Sequence, residues 1–198
     1  QVSQTGVVME KTLSEQDRLF LLDLARKTIE KAVNQHSLPT WDDQDLSETL
    51  KAKGASFVTL TKNGNLRGCI GTLEAHQSLV EDVREHAVQA ALEDYRFPPV
   101  TSDEISQLHI EISRLTAPVP LKYERPEELP DKLQPDVDGV ILKDGLRRAT
   151  FLPQVWRQLP DADEFLSHLC MKMGSPADLW RRKVLQVSIY HVEEFEEQ

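Results

Sequence analysis

The six residues Leu66-Arg67-Gly68-Cys69-Ile70-Gly71 are the most unusual string in the chain for a stretch that reads as a β-strand. Two glycines inside a strand weaken it and pack nothing, so either another group approaches the backbone there or the strand bulges. A cysteine between them has little side-chain cover, which leaves its sulfur reachable. Arg67 precedes Cys69 by two residues, and in an extended strand that spacing puts both on one face. A guanidinium beside a thiol favours the thiolate, the nucleophilic form. The chemistry on offer is therefore covalent, with Cys69 as nucleophile or acceptor and Arg67 as its activating cation. The competing reading is a buried, inert cysteine beside a β-bulge, because free cysteines are among the most buried residues. The string itself holds no base, orienter or oxyanion donor.

A second set is Asp94-Tyr95-Arg96-Phe97-Pro98-Pro99. An arginine between two aromatics on a proline-stiffened loop can clamp a carboxylate or phosphate. Equally, Asp94 and Arg96 can pair to staple the loop while Phe97 plugs the core. His109, Glu111 and Ser113 share one face of a strand, as alternate polar residues do on any solvated strand. Asp94 or Glu111 would serve as general base, and Arg67 and Arg96 as anion-holding groups. The six histidines, His86, His168 and His191 among them, form no ligand set, and neither cysteine lies in zinc-ligand spacing, so no metal or other cofactor is expected. Nucleotide-binding glycine loops and the serine-hydrolase elbow are missing.

The elements that must carry these residues follow from periodicity. Ser14 opens a helix over 14–35 with Leu22, Ala25, Ile29 and Val33 on one stripe, and 36–53 reads as a surface loop broken by Pro39. Residues 57–61 and 66–73 form a hairpin turning at Asn63-Gly64. Ser78 and Glu81 make a capping box for a helix that runs to the Phe97-Pro98-Pro99 stop. Leu108, Ile110 and Ile112 mark a strand, and five prolines over 116–136 mark an irregular excursion. A second hairpin covers 140–151, a helix with core Cys170 covers 163–173 before Gly174, and a strand covers 184–190. The run Glu193-Glu194-Phe195-Glu196-Glu197 reads as a solvated end. Hairpins between helices, without regular βαβ alternation, give an α+β fold with a mainly antiparallel sheet and helices packed on it.

With 198 residues, 39% hydrophobic and 28% charged, the chain is long and apolar enough for a real core. No apolar run reaches the roughly 20 residues of a membrane span. The net charge of −10 disfavours a surface built for nucleic-acid phosphates. Two cysteines make no disulfide framework, which fits a reducing, cytoplasmic setting. Residue 1 is not Met, whereas Met9 offers a start, so residues 1–13 are set apart as an N-terminal tail, with 1–8 an added or processed remnant. The domain is expected over 14–198.

In this order, Gly54-x-x-Phe57-Val58-Thr59-Leu60, Leu66 to Gly71, Ala90-Ala91 through Asp94-x-Arg96-Phe97-x-Pro99-Val100, Asp138-Gly139-Val140, Leu152 to Trp156, and Phe165-Leu166 to Trp180 resemble the AMMECR-domain family. In prokaryotes this family is labelled system protein A of the AmmeMemoRadiSam set. Met173-Gly174-Ser175 departs from its more usual Ala-Gly-Leu. The resemblance implies a larger and a smaller lobe with a cleft between them and the Leu66–Gly71 string near it. It raises Cys69, Arg67, Gly68 and Gly71 to the leading site residues, with Asp94, Arg96 and Glu111 as binding candidates. The partners it implies are a Memo-type protein and a radical SAM protein, and the context implied is RNA or nucleobase modification. Two functions fit: an enzyme-like or substrate-binding component of a modification system, or a non-catalytic adaptor that presents a substrate to partner enzymes.

Overall fold

The computed structural model describes residues 11–198. The Met9 start and most of the tail expected over 1–13 lie outside the described residues. Leu13 is already part of the fold: it is buried, and its N–H donates to Glu193 Oε2 at 3.0 Å.

The chain divides into two compact units, one of residues 12–115 with 193–198 and one built on 116–192. The first opens with α1 (Glu15–Val33), whose free N-terminal N–H groups are capped by Ser14 accepting from Asp17. Its Leu21, Leu22, Ala25 and Ile29 are buried, about 1.5–3 kcal/mol for each large aliphatic removed from water. After α2 (Glu48–Lys51) come β1 (Lys53–Lys62) and β2 (Asn65–Gly71). Asn63 and Gly64, at φ 52° and 77°, make the left-handed two-residue turn that matches strand twist. Next are β3 (Gln77–Ser78), α3 (Leu79–Leu92) and β4 (Leu108–Leu115).

The chain then forms the second unit: β5 (Val119–Pro120), α4 (Leu129–Lys132), β6 (Gly139–Asp144), β7 (Arg147–Phe151), α5 (Ala162–Lys172), α6 (Leu179–Arg182) and β8 (Gln186–Tyr190). β9 (Val192–Glu196) returns to the first sheet, whose order is β2-β1-β4-β9, with β3 pairing one end of β1. The second sheet runs β5-β8-β6-β7. Every recorded pairing is antiparallel. Its core centres on Trp156 stacked on Phe165 at 3.7 Å, with the indole N–H donating to the Asp138 carbonyl at 2.7 Å. Cys170 sits in that core, fully buried.

Three expectations need correction. The stretch 36–53, expected as a surface loop, contains α2 and puts Leu46 and Leu50 in the first core. The proline-rich excursion over 116–136 contains β5 and α4. The acidic end is a strand: the side chains of Glu193 and Glu197 turn inward to Arg114 and Arg26, at 3.3 Å and 2.6 Å, and Phe195 is buried between them. Charge that looked solvent-bound is consumed by arginines distant in sequence.

The glycines of the Leu66–Gly71 string are both explained by close approach. A Cβ on Gly68 would lie 2.1 Å from the Ala90 carbonyl oxygen of α3, and one on Gly71 would lie 2.4 Å from the Phe57 ring. Helix α3 therefore rests directly on the β2 backbone. Gly68→Ala should cost about 1–3 kcal/mol, since backbone cannot yield as a flexible side chain does. A urea midpoint unchanged from wild type would contradict this packing.

Candidate functional site

Cys69 is half-buried on the sheet face turned away from α1 and α3. It sits opposite Thr59, which sits opposite Glu111, so three strands set Cys69, Thr59 and Glu111 in one row. Thr59 Oγ1 lies 3.2 Å from Cys69 Sγ. Cys69 and Glu111 are two strand spacings apart, about 10 Å. His109 and Ser113 flank Glu111 on the same face, as alternation requires.

The main chain of Cys69 is held from the sheet edge. Its N–H donates to Asp94 Oδ2 at 2.9 Å, and its carbonyl accepts from Arg96 Nη2 at 3.3 Å. Arg96 also grips Asp94 through Nε at 3.0 Å and Nη2 at 2.7 Å. The two motifs read separately in the sequence are thus one interlocked structure. The Arg96 bonds, with the N–H groups of Cys69 and Arg96, hold the Asp94 carboxyl well below the usual carboxylate range against the opposing effect of burial. A carboxylate so engaged is a poor proton acceptor. Tyr95 between them is 94% exposed and Phe97 lies beneath the Arg96 guanidinium, 5.5 Å away.

Glu111 behaves oppositely. Burial, then the charges of Glu194 and Glu196, raise its carboxyl above the ordinary value, while His109 works the other way. Of the two carboxyls considered as bases, Glu111 is the one shifted toward holding a proton.

Arg67 does not stand beside Cys69. The register slips between Leu60 and Thr61, Leu60 facing Gly68 and Thr61 facing Leu66, so Arg67 is the extra residue of a β-bulge. The bulge resets the alternation, and the guanidinium turns to Glu104, bonding both carboxylate oxygens at 3.1 Å. Lys62 joins at 3.0 Å, and Glu104 is held low by Arg67 first, then by the Thr101 N–H and Lys62. The guanidinium that reaches Cys69 is that of Arg96, through the main-chain carbonyl.

Sequence reasoning missed a buried polar cluster between β1 and α3. Ser56 Oγ donates to Asp82 Oδ2 at 2.6 Å, His86 Nδ1 lies 3.1 Å from the same oxygen, and Gln77 donates to the other at 3.3 Å. The i,i+4 spacing of Asp82 and His86 was its one signal. Ser56, Asp82 and His86 are each at most 2% exposed, so the cluster ties the helix to the sheet and admits no substrate. Among the described residues no group of three or more His, Cys, Asp or Glu side chains could hold a metal ion.

A sequence profile of the AMMECR1 family matches residues 22–195. The chain belongs to the AMMECR1 family. A relative from Methanothermobacter thermautotrophicus is 38% identical, covering 90% of this chain and 96% of its own. Protein MJ0810 of Methanocaldococcus jannaschii is 34% identical, covering 94% and 93%. The crystal structure of the uncharacterised protein PH0010 from Pyrococcus horikoshii shares the α+β fold, with TM-score 0.75, 34% identity and 94% of each chain covered. In this member of the family the string Leu66–Gly71 is a bulged edge strand clamped by Asp94 and Arg96.

Two outcomes follow for the site. Limiting iodoacetamide should modify Cys69 before Cys170, whose thiol is pushed up by burial in the second core; peptide mapping by mass spectrometry that found Cys170 faster, or both equally protected, would refute the accessible-thiol geometry. Asp94 stabilises the fold as an anion, so its contribution is complete above the unfolded carboxyl value of about 4 and is lost as pH falls toward its lower folded value. Asp94→Asn should therefore melt earlier at pH 7 and show a shallower loss of Tm on acidification than wild type.

Proposed function

We propose that the protein is a substrate-binding, enzyme-like component of a modification system, working through the row Cys69–Thr59–Glu111 with Arg96 at its edge. The observation that carries this reading is the half-buried thiol in contact with a hydroxyl, on a strand whose main chain is locked by an ion pair. Such locking holds a reactive group in one geometry, as a binding or catalytic site requires. Glu111, with its raised affinity for protons, supplies a group that can exchange one with a bound substrate. The ion pairs of Arg67 with Glu104 and of Asp94 with Arg96 serve as the frame.

Family resemblance supplies the rest of the reading: a Memo-type protein and a radical SAM protein as partners, and RNA or a nucleobase as the material modified. Among the described residues no helix is long and apolar enough to cross a membrane. Cys69 and Cys170 as free thiols support a cytoplasmic setting.

Thermal-shift measurements with nucleobases, nucleosides and short oligoribonucleotides test the proposal. A stabilising compound whose effect disappears in Cys69→Ser and in Glu111→Gln is the expected result. If no compound depends on either residue while both variants still bind a purified Memo-type protein as wild type does, the adaptor reading replaces this one.

A further inference from the structure

Among the described residues the first sheet has two outer edges, β2 and β9, and they are treated differently. Asp94 and Arg96 occupy the outward main-chain groups of Cys69 on β2. On β9, the Glu197 N–H donates to the Ile110 carbonyl of β4 at 3.0 Å. Antiparallel pairing alternates along a strand, so the main-chain groups of Glu194 and Glu196 face away from β4. Their side chains stand on the face opposite buried Phe195.

On the Phe195 side, a groove of about 980 Å³ runs between α1 and β9. Leu13, Leu19, Leu22 and Phe195 share its lining with the charged Glu15, Arg18, Asp23 and Arg26. The Arg18 guanidinium lies 5.8 Å from the centre of the Phe195 ring, and Leu19, 59% exposed, is the groove's open apolar surface. The opposite face is acidic. Glu194 and Glu196 crowd Glu111 enough to raise its proton affinity, and His109, 2.9 Å from Glu196, relieves only part of that repulsion. One side of this edge carries carboxylates, and the other offers apolar surface at Leu19 set among charged side chains.

We propose that the outer edge of β9 binds an extended segment of a partner protein whose residues alternate basic and apolar, added to the sheet as a further strand. Main-chain bonds to Glu194 and Glu196 supply affinity, as in other strand additions. The period of two then decides composition: one set of the partner's side chains meets the carboxylates of Glu194 and Glu196, and the other enters the groove beside Phe195 and Leu19. The same charges repel a second copy of this acidic strand, so the edge discriminates by sign. This inference is independent of the role of Cys69.

Fluorescence anisotropy with a labelled peptide of about eight alternating lysine and valine residues, roughly one strand in length, tests it on the full chain. Saturable binding is expected, weakened about tenfold or more in the Glu194→Lys, Glu196→Lys double variant. A peptide of the same composition with its lysines and valines in separate blocks should bind more weakly than the alternating one. Glu194→Pro removes one outward N–H without touching the β4 ladder and should abolish binding while leaving Tm near wild type. Amide exchange on the unmodified chain gives a variant-free check, with Glu194 and Glu196 slowed by peptide. Equal binding of the block peptide, no slowing at those amides, or a dimer formed through this edge would each overturn the proposal.

Discussion

The Asp94 carboxylate is the constraint on which the first unit turns. It accepts from the Cys69 N–H at 2.9 Å and from Arg96, and Arg96 in turn reaches the Cys69 carbonyl. An edge strand exposes unpaired donors and acceptors that invite association, and here two side chains take the place of the missing neighbour. To do so, the segment after α3 must come back to β2. That return brings the end of α3 down onto the strand, where the Ala90 carbonyl leaves room only for a glycine at 68. The loop clamp, the glycine and the bulge at Arg67 are consequences of one geometric demand. Because the clamp is a carboxylate–guanidinium pair and not a neutral bond, it is short and directional, and charge-assisted bonds of this kind are about twice as strong as neutral ones.

The second unit solves the same problem with a different residue. Tyr123 Oη accepts the Leu185 N–H at 2.6 Å and donates to the Leu185 carbonyl at 3.1 Å, next to the place where β5 runs out. A phenol can do both jobs because it carries one donor and spare lone pairs. Burial pushes the Tyr123 hydroxyl up, which keeps the proton it needs for the carbonyl. Asp138 performs a related task nearby: its carboxylate accepts the Gln134 N–H at 2.8 Å and lies 2.9 Å from His191 Nε2, which fixes the turn into β6. Polar residues in both units thus satisfy main chain where the ladders end, and buried main-chain groups allow no other arrangement.

What the sequence made legible was local. Ser14 and Ser78 mark helix starts because a cap acts over three residues, and Asn63-Gly64 marks its hairpin because the turn's torsions belong to those two positions. Cys170 reads as core from neighbours one helical turn away. The bulge at Arg67 was illegible, since its cause lies in the backbone of α3 and in Glu104, 37 positions on. β9 was hidden for a like reason. Its inward side carries Glu193, Phe195 and Glu197, two charges about one aromatic, and the arginine that receives Glu197 is 171 residues earlier. Alternation of period two was present in the string, but hydrophobicity was the wrong quantity in which to look for it.

The disposition of charge then separates two kinds of carboxylate. Carboxylates that hold the fold, Asp94 and Glu104, are bound to guanidinium groups and stay ionised far below neutral pH. Among the described residues Glu111 has no guanidinium partner, and it is pushed the other way by burial and by its acidic neighbours. A frame built from groups that do not titrate near neutrality keeps its shape while a single carboxyl on the open face gains or loses a proton. In the function proposed above, that division makes Glu111 the carboxyl of the row whose proton affinity is raised. Glu104, at 14% side-chain exposure, is held jointly by Arg67, Lys62 and the Thr101 N–H, so the Arg67 guanidinium is committed to that cluster and does not serve Cys69. Both guanidinium groups are thus spent on carboxylates, Arg67 on Glu104 at 11% side-chain exposure and Arg96 on Asp94 at 44%, and of the two only Arg96 also reaches the main chain of Cys69.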